Sequence, residues 1–157
     1  MNELILLLII CLVCYFFKKY KDRAKKKFRT ALSDAAFNGD AALVKTIIDK
    51  GAEIDKKDKR GMTALMWAAA SGHTGSLELL LGQGANINAK NNEGWTALML
   101  AAGVGKIDTV KWLINRGADI HAKNIDGLTA LMIAETLKQS KTSAYLTKLS
   151  VRGDNKN

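Results

Sequence analysis

Apolar positions in residues 92–127 fall into two short helical patterns followed by a polar connector. Asn92-Glu93-Gly94-Trp95-Thr96-Ala97-Leu98-Met99-Leu100-Ala101-Ala102 leads into a first helix. Thr96 is suited to cap it, because its hydroxyl can accept from the free N–H groups of the first turn, and the small Ala101 and Ala102 permit close helix approach. Gly105 can end that helix in a left-handed residue, and Thr109, Val110, Leu113 and Ile114 give the i, i+1, i+4, i+5 face of a second. Gly117 closes the second helix, and Ala118-Asp119-Ile120-His121-Ala122-Lys123-Asn124 is an extended, turn-rich stretch ending at Gly127. The predicted unit is helix, turn, helix and a hairpin-like finger.

The same unit recurs. Thr30-Ala31-Leu32, Thr63-Ala64-Leu65, Thr96-Ala97-Leu98 and Thr129-Ala130-Leu131 begin four copies 33 residues apart, and Gly51-Ala52, Gly84-Ala85 and Gly117-Ala118 keep the same period. A fixed period of this size means stacked supersecondary units and a binding surface, not a domain around a catalytic cleft. Helices of about eight to ten residues are marginal alone, so stability must come from burial between copies. The outer copies are irregular, as caps should be: the first uses Ser33, Asp34, Asn38 and Asp40, and the last replaces its glycines with a polar run from Lys138 to Ser143 before Tyr145, Leu146 and Leu149.

The pattern resembles the ankyrin-repeat family, whose hallmark is Thr-Pro-Leu-His-x-Ala within 33 residues. The second copy is the nearest to it: Gly61-Met62-Thr63-Ala64-Leu65-Met66-Trp67-Ala68-Ala69, then Gly72-His73, Leu79-Leu80-Leu81 and Gly84-Ala85-Asn86-Ile87-Asn88-Ala89. The resemblance covers about three quarters of the chain. It implies an all-α solenoid with hairpin-like fingers, preceded here by a hydrophobic helix. Two departures stand out. Alanine (Ala31, Ala64, Ala97, Ala130) replaces the proline in every copy, and it is an excellent helix former. Ser33, Met66, Met99 and Met132 replace the histidine, exchanging its polar link to threonine for apolar packing.

What the resemblance implies for function is a protein partner on the concave face, made by the finger tips and the exposed side of the first helices. Transferred position by position, it selects Lys57, Lys59, Arg60, Met62, Ala70 and Ser71 in the second copy and Lys90, Asn92, Glu93, Trp95, Gly103 and Val104 in the third. Lys123, Ile125, Asp126 and Leu128 follow in the fourth, with Phe37 and Asn38 in the first. Met62, Trp95 and Leu128 share one repeated position. They are expected to line up as an exposed apolar stripe beside Phe37 and Val104, rimmed by Arg60 and Glu93, with Trp95 as anchor. On that reading Trp95→Ala spares thermal stability and abolishes capture. Trp67 and Trp112 are expected in the core, and Lys56, Lys57, Lys59 and Arg60 form a basic first finger.

Leu4 to Phe17 is a run of 14 apolar residues, followed at once by Lys18, Lys19, Lys21, Arg23, Lys25, Lys26, Lys27 and Arg29. As a helix the run measures about 21 Å, short of the roughly 30 Å hydrocarbon core unless flanking residues enter the interface and lysines snorkel. The favoured reading is an uncleaved single-pass anchor with Tyr15, Phe16, Phe17 and Tyr20 at the boundary. Positive charge on its C-terminal flank then puts the repeats in the cytoplasm. A cleaved export signal, a helix packed on the repeats and an interfacial segment are the alternatives. The eight cations also form a candidate surface for anionic lipid. They account for most of the formal net charge of +9: residues 30–157 hold 16 Lys and Arg against 13 Asp and Glu, a net of +3. The basicity belongs to this collar and gives no reason to expect a nucleic-acid partner.

The expected layout is 1–17 membrane helix, 18–28 basic collar, 29–150 repeats (about 29–60, 61–93, 94–126 and 127–150) and 151–157 polar tail. Cys11 and Cys14 lie inside the apolar run, a poor setting for a disulfide framework or zinc site. His73 and His121 stand without a Ser-His-Asp or Cys-His arrangement, and no phosphate-binding glycine motif occurs. The expectation is a monomeric interaction protein with no enzyme activity, no cofactor and no metal.

Overall fold

The computed structural model describes residues 30–154. Among them are eight helices and no strand. They pair as α1 (Ala31–Asn38) with α2 (Ala41–Asp49), α3 (Ala64–Ser71) with α4 (Thr74–Gly82), α5 (Ala97–Val104) with α6 (Ile107–Asn115), and α7 (Ala130–Thr136) with α8 (Ser140–Asp154). The first helices pack in the order α1, α3, α5, α7, while α2 packs on α4 and α6 on α8. This is the expected solenoid.

Local chemistry sets the helix ends. The side chains of Thr30, Thr63, Thr96 and Thr129 each accept the N–H three residues on, from Ser33, Met66, Met99 and Met132. Gly39, Gly72 and Gly105 end the first helices in the left-handed region, which a side chain enters at a cost of about 1–2 kcal/mol. Lys138 occupies that place in the fourth copy, at φ 56°.

Composition decides which helices lie inside. Every residue of Ala64–Ala70 and Ala97–Gly103 is buried, as a helix apolar on all sides requires. Ala35, Ala36, Ala68, Ala69, Ala101, Ala102 and Ala134 are at most 1% exposed, so the first helices stand close together. The second helices bury one stripe each, such as Leu77 with Leu80 and Val110 with Leu113. Met66 and Met99 are 1% exposed, in keeping with the apolar packing expected in place of histidine. In the first copy a polar link persists in another form, for the Thr30 hydroxyl donates to Ser33 Oγ over 2.9 Å.

The apolar run 4–17 and the collar Lys18, Lys19, Lys21, Arg23, Lys25, Lys26, Lys27 and Arg29 lie outside the described residues. Among the described residues no helix is long and apolar enough to cross a membrane.

Candidate functional site: the fingers and the concave groove

Each finger tip is closed by one side chain. Asp58 Oδ1 accepts from the N–H groups of Arg60 at 2.8 Å and Met62 at 3.0 Å. Asn91 Oδ1 does the same for Glu93 at 3.0 Å and Trp95 at 2.8 Å, and Asn124 Oδ1 for Asp126 at 3.0 Å and Leu128 at 2.8 Å. Main-chain bonds complete the loops, from Asp58 N–H to Met62 C=O, Asn91 N–H to Trp95 C=O and Asn124 N–H to Leu128 C=O. Asx residues favour such turns because the side chain mimics a backbone acceptor. These three positions were overlooked in the sequence, although they repeat every 33 residues, three before Gly61, Gly94 and Gly127.

Loop closure corrects the expected stripe. Met62, Trp95 and Leu128 are drawn back beneath the tips and are 0%, 8% and 8% exposed. All three belong to the hydrophobic core, so none forms part of an exposed apolar surface. Of the other predicted groove residues, Phe37, Val104 and Arg60 are half-buried and Glu93 is exposed. Ile125 at the third tip is the large apolar side chain that stands out, 71% exposed.

The basic first finger is partly committed to structure. Lys57 Nζ donates to Lys90 C=O at 3.0 Å, and the Arg60 guanidinium lies 5.2 Å from the Trp67 ring centre. Trp67 is buried, as expected; it meets the Phe37 ring edge-on at 5.5 Å, and its Nε1 donates to Asp58 Oδ2 at 3.2 Å. Phe37, Trp67, Arg60 and Asp58 therefore join the first two copies. Trp112, expected in the core, is half-buried and packed against it, with Arg116 stacked 4.7 Å over its ring. His73 packs against Gly39, where an added Cβ would lie 2.5 Å from its Nδ1, and His121 is exposed.

Neighbouring fingers are joined along their length. Asn92 N–H donates to Arg60 C=O and Ile125 N–H to Glu93 C=O, both at 3.1 Å. Lys90 Nζ reaches Lys123 C=O at 2.8 Å, and nearer the helices Asp119 N–H donates to Asn88 Oδ1 at 2.9 Å. Close approach makes Gly94 special: its φ is 77°, and a Cβ there would stand 3.0 Å from Asn124 Cα and from Ile125 N. Gly117 has φ 90° with nothing within 4 Å. Gly117→Ala should therefore cost about 1–2 kcal/mol from backbone conformation alone. Gly94→Ala should add roughly another 1 kcal/mol or more of overpacking. Urea titration followed by circular dichroism separates them, and equal losses would mean the finger contact carries no stability.

The fingers and the positions expected beside them offer main-chain bonding, two half-buried apolar side chains and charges of both signs. A depression of about 210 Å³ lined by Gly72, Gly105, Lys106, Ile107, Asp108 and Thr109 is smaller than the usual ligand pocket. No curated protein matches the chain. The family model for ankyrin repeats (3 copies) matches residues 5–91, 32–124 and 77–157. With stacked helix pairs, threonine caps, glycine stops and bonded fingers all in register, the chain belongs to the ankyrin-repeat family.

Proposed function

We propose that the chain is a membrane-tethered ankyrin-repeat module that holds a protein partner at the cytoplasmic face of a bilayer. Ankyrin repeats generally bind protein partners, and the family is generally a non-enzymatic scaffold. The observation that carries the tether is the apolar run Leu4 to Phe17 followed directly by eight cations. Such a run favours the hydrocarbon, and such a flank favours the cytoplasmic side. The partner surface is the groove between Phe37 and Val104, with Arg60 and Glu93 at its rim and Ile125 at its far tip. Met62, Trp95 and Leu128 contribute by supporting the fingers from beneath.

A second reading rests on length: about 21 Å of helix falls short of a full span, which favours a segment lying in the interface with its collar on anionic lipid. Extraction tells the two apart. Retention in the membrane fraction after alkaline and high-salt washes is expected for the anchor, and release supports the interfacial form. Photo-crosslinking from position 104 in the native membrane should capture one defined protein. A C-terminal reporter active only outside the cytoplasm would defeat the orientation, and a shortened mature mass would show a cleaved export signal.

A further inference from the structure

The first finger differs from the other two in its charges. Over six residues it reads Asp55-Lys56-Lys57-Asp58-Lys59-Arg60, where the second reads Asn88-Ala89-Lys90-Asn91-Asn92-Glu93 and the third His121-Ala122-Lys123-Asn124-Ile125-Asp126. Four cations thus stand where each later finger keeps one. Along the sequence they are interleaved with two carboxylates, and a run mixed in this way need attract nothing.

The fold separates the two signs. Both Asp55 oxygens accept from Asn86 N–H, at 3.2 and 3.1 Å, while Asp58 gives Oδ1 to the N–H groups of Arg60 and Met62 and Oδ2 to Trp67 Nε1. Both aspartates are half-buried, whereas Lys56, Lys57 and Lys59 are exposed, and Glu53 is the one exposed carboxylate of residues 53–60. Exposure belongs to the finger itself and not to its place in the array: Lys90 and Asn92, at the positions of Lys57 and Lys59, are exposed although a described finger lies on either side. Lys57 Nζ gives one proton to Lys90 C=O, and an ammonium group carries two more. The carboxylates are thus held inside the finger, and three ammonium groups stand in solvent.

The chain also enters the array on the side of this finger. Gly39, which ends α1, packs on His73 just past the end of α3. The two helices therefore run the same way, and their capping threonines, Thr30 and Thr63, lie at one end. Thr63 follows directly on the first finger and Thr30 on the collar. The 12 residues from Lys18 to Arg29 reach at most about 40 Å. We infer that the first finger is a second membrane contact, in which Lys56, Lys57 and Lys59 lie on the anionic headgroups of the bilayer that takes up the apolar run. The contact rests on the membrane-tether reading and adds which edge of the array meets the surface. Anionic headgroups gather under clustered lysines, each worth about five-fold in affinity near the surface. An acidic protein segment lying along the fingers fits less well, because it meets exposed Glu93 and Asp126 at the positions that follow Arg60 in register.

The test uses the full chain in phosphatidylcholine vesicles, with or without phosphatidylserine, and a water-soluble reagent that acylates lysines. Labelling of Lys56 and Lys59 is read by mass spectrometry as a ratio to Lys141 on α8, which is also exposed. The ratio should fall at least about five-fold on the anionic vesicles, stay high on the neutral ones, and recover in about 1 M salt, where the screening length is about 3 Å. Lys56→Gln should weaken the protection of Lys59 about five-fold, and Lys56→Arg should preserve it. Equal ratios on both vesicles, with the chain still resisting an alkaline wash, would overturn the finger contact and leave the tether standing. Release by alkali with the ratio still low on anionic vesicles would remove the span and keep the contact, and failure to associate with either vesicle would overturn both. Stronger protection by polyglutamate added to neutral vesicles than by phosphatidylserine would assign the finger to an acidic protein and overturn the lipid contact.

Discussion

Trp67→Ala is expected to lower stability by about 3–5 kcal/mol, the usual effect of emptying a large aromatic site. That is a large part of the 5–15 kcal/mol that holds an ordinary domain together. Trp67 is 2% exposed and belongs to two copies at once, through Phe37 on α1 and through Arg60 and Asp58 on the first finger. Its loss opens a cavity between α1 and α3, removes the donor to Asp58 Oδ2 and leaves Arg60 without its ring. Because stacked repeats contact only their neighbours, the damage should concentrate in the first two copies. Hydrogen exchange should show α1 and α3 losing protection well before α7. A loss under about 1 kcal/mol in urea titration, or uniform loss of protection, would contradict this account.

The second large effect is Trp95→Ala. Seen from sequence, Trp95 is a surface anchor whose removal spares stability. At 8% exposure, with its main-chain N–H held by Asn91 Oδ1, it is instead part of the hydrophobic core. Truncation should cost about 3 kcal/mol or more. Partner capture should fall only as far as the folded fraction falls. Stabilising the variant, for instance by lower temperature, should then restore capture. A melting temperature unchanged by Trp95→Ala would return the residue to the surface role. Ile125→Asp provides the contrast, since a side chain 71% exposed can change with little loss of fold.

Most of the helical architecture was legible because its determinants are local. A threonine three residues before the N–H it accepts, and a glycine where the chain must turn left-handed, act within one helical turn. The 33-residue period repeats them. The finger residues were harder to read. Whether the residue after Gly61, Gly94 or Gly127 faces solvent depends on the loop that Asp58, Asn91 and Asn124 close, and Asx turns leave a weaker mark than helical periodicity. Trp112 joins the core only in part for a related reason: an outer helix has one buried stripe, and Arg116 covers the half-buried ring at its margin.

Sequence alone determined the period, the helix caps, the all-α solenoid and the location of the excess positive charge, since each depends on residue type at fixed spacing. The tertiary structure decided which apolar side chains remain at the surface, because burial depends on what the neighbouring copy places opposite. Equivalent methionines show it: Met66 and Met99 are 1% exposed, while Met132 is 45% exposed. It also decided that α8 runs on to Asp154, through residues that three earlier copies fold back.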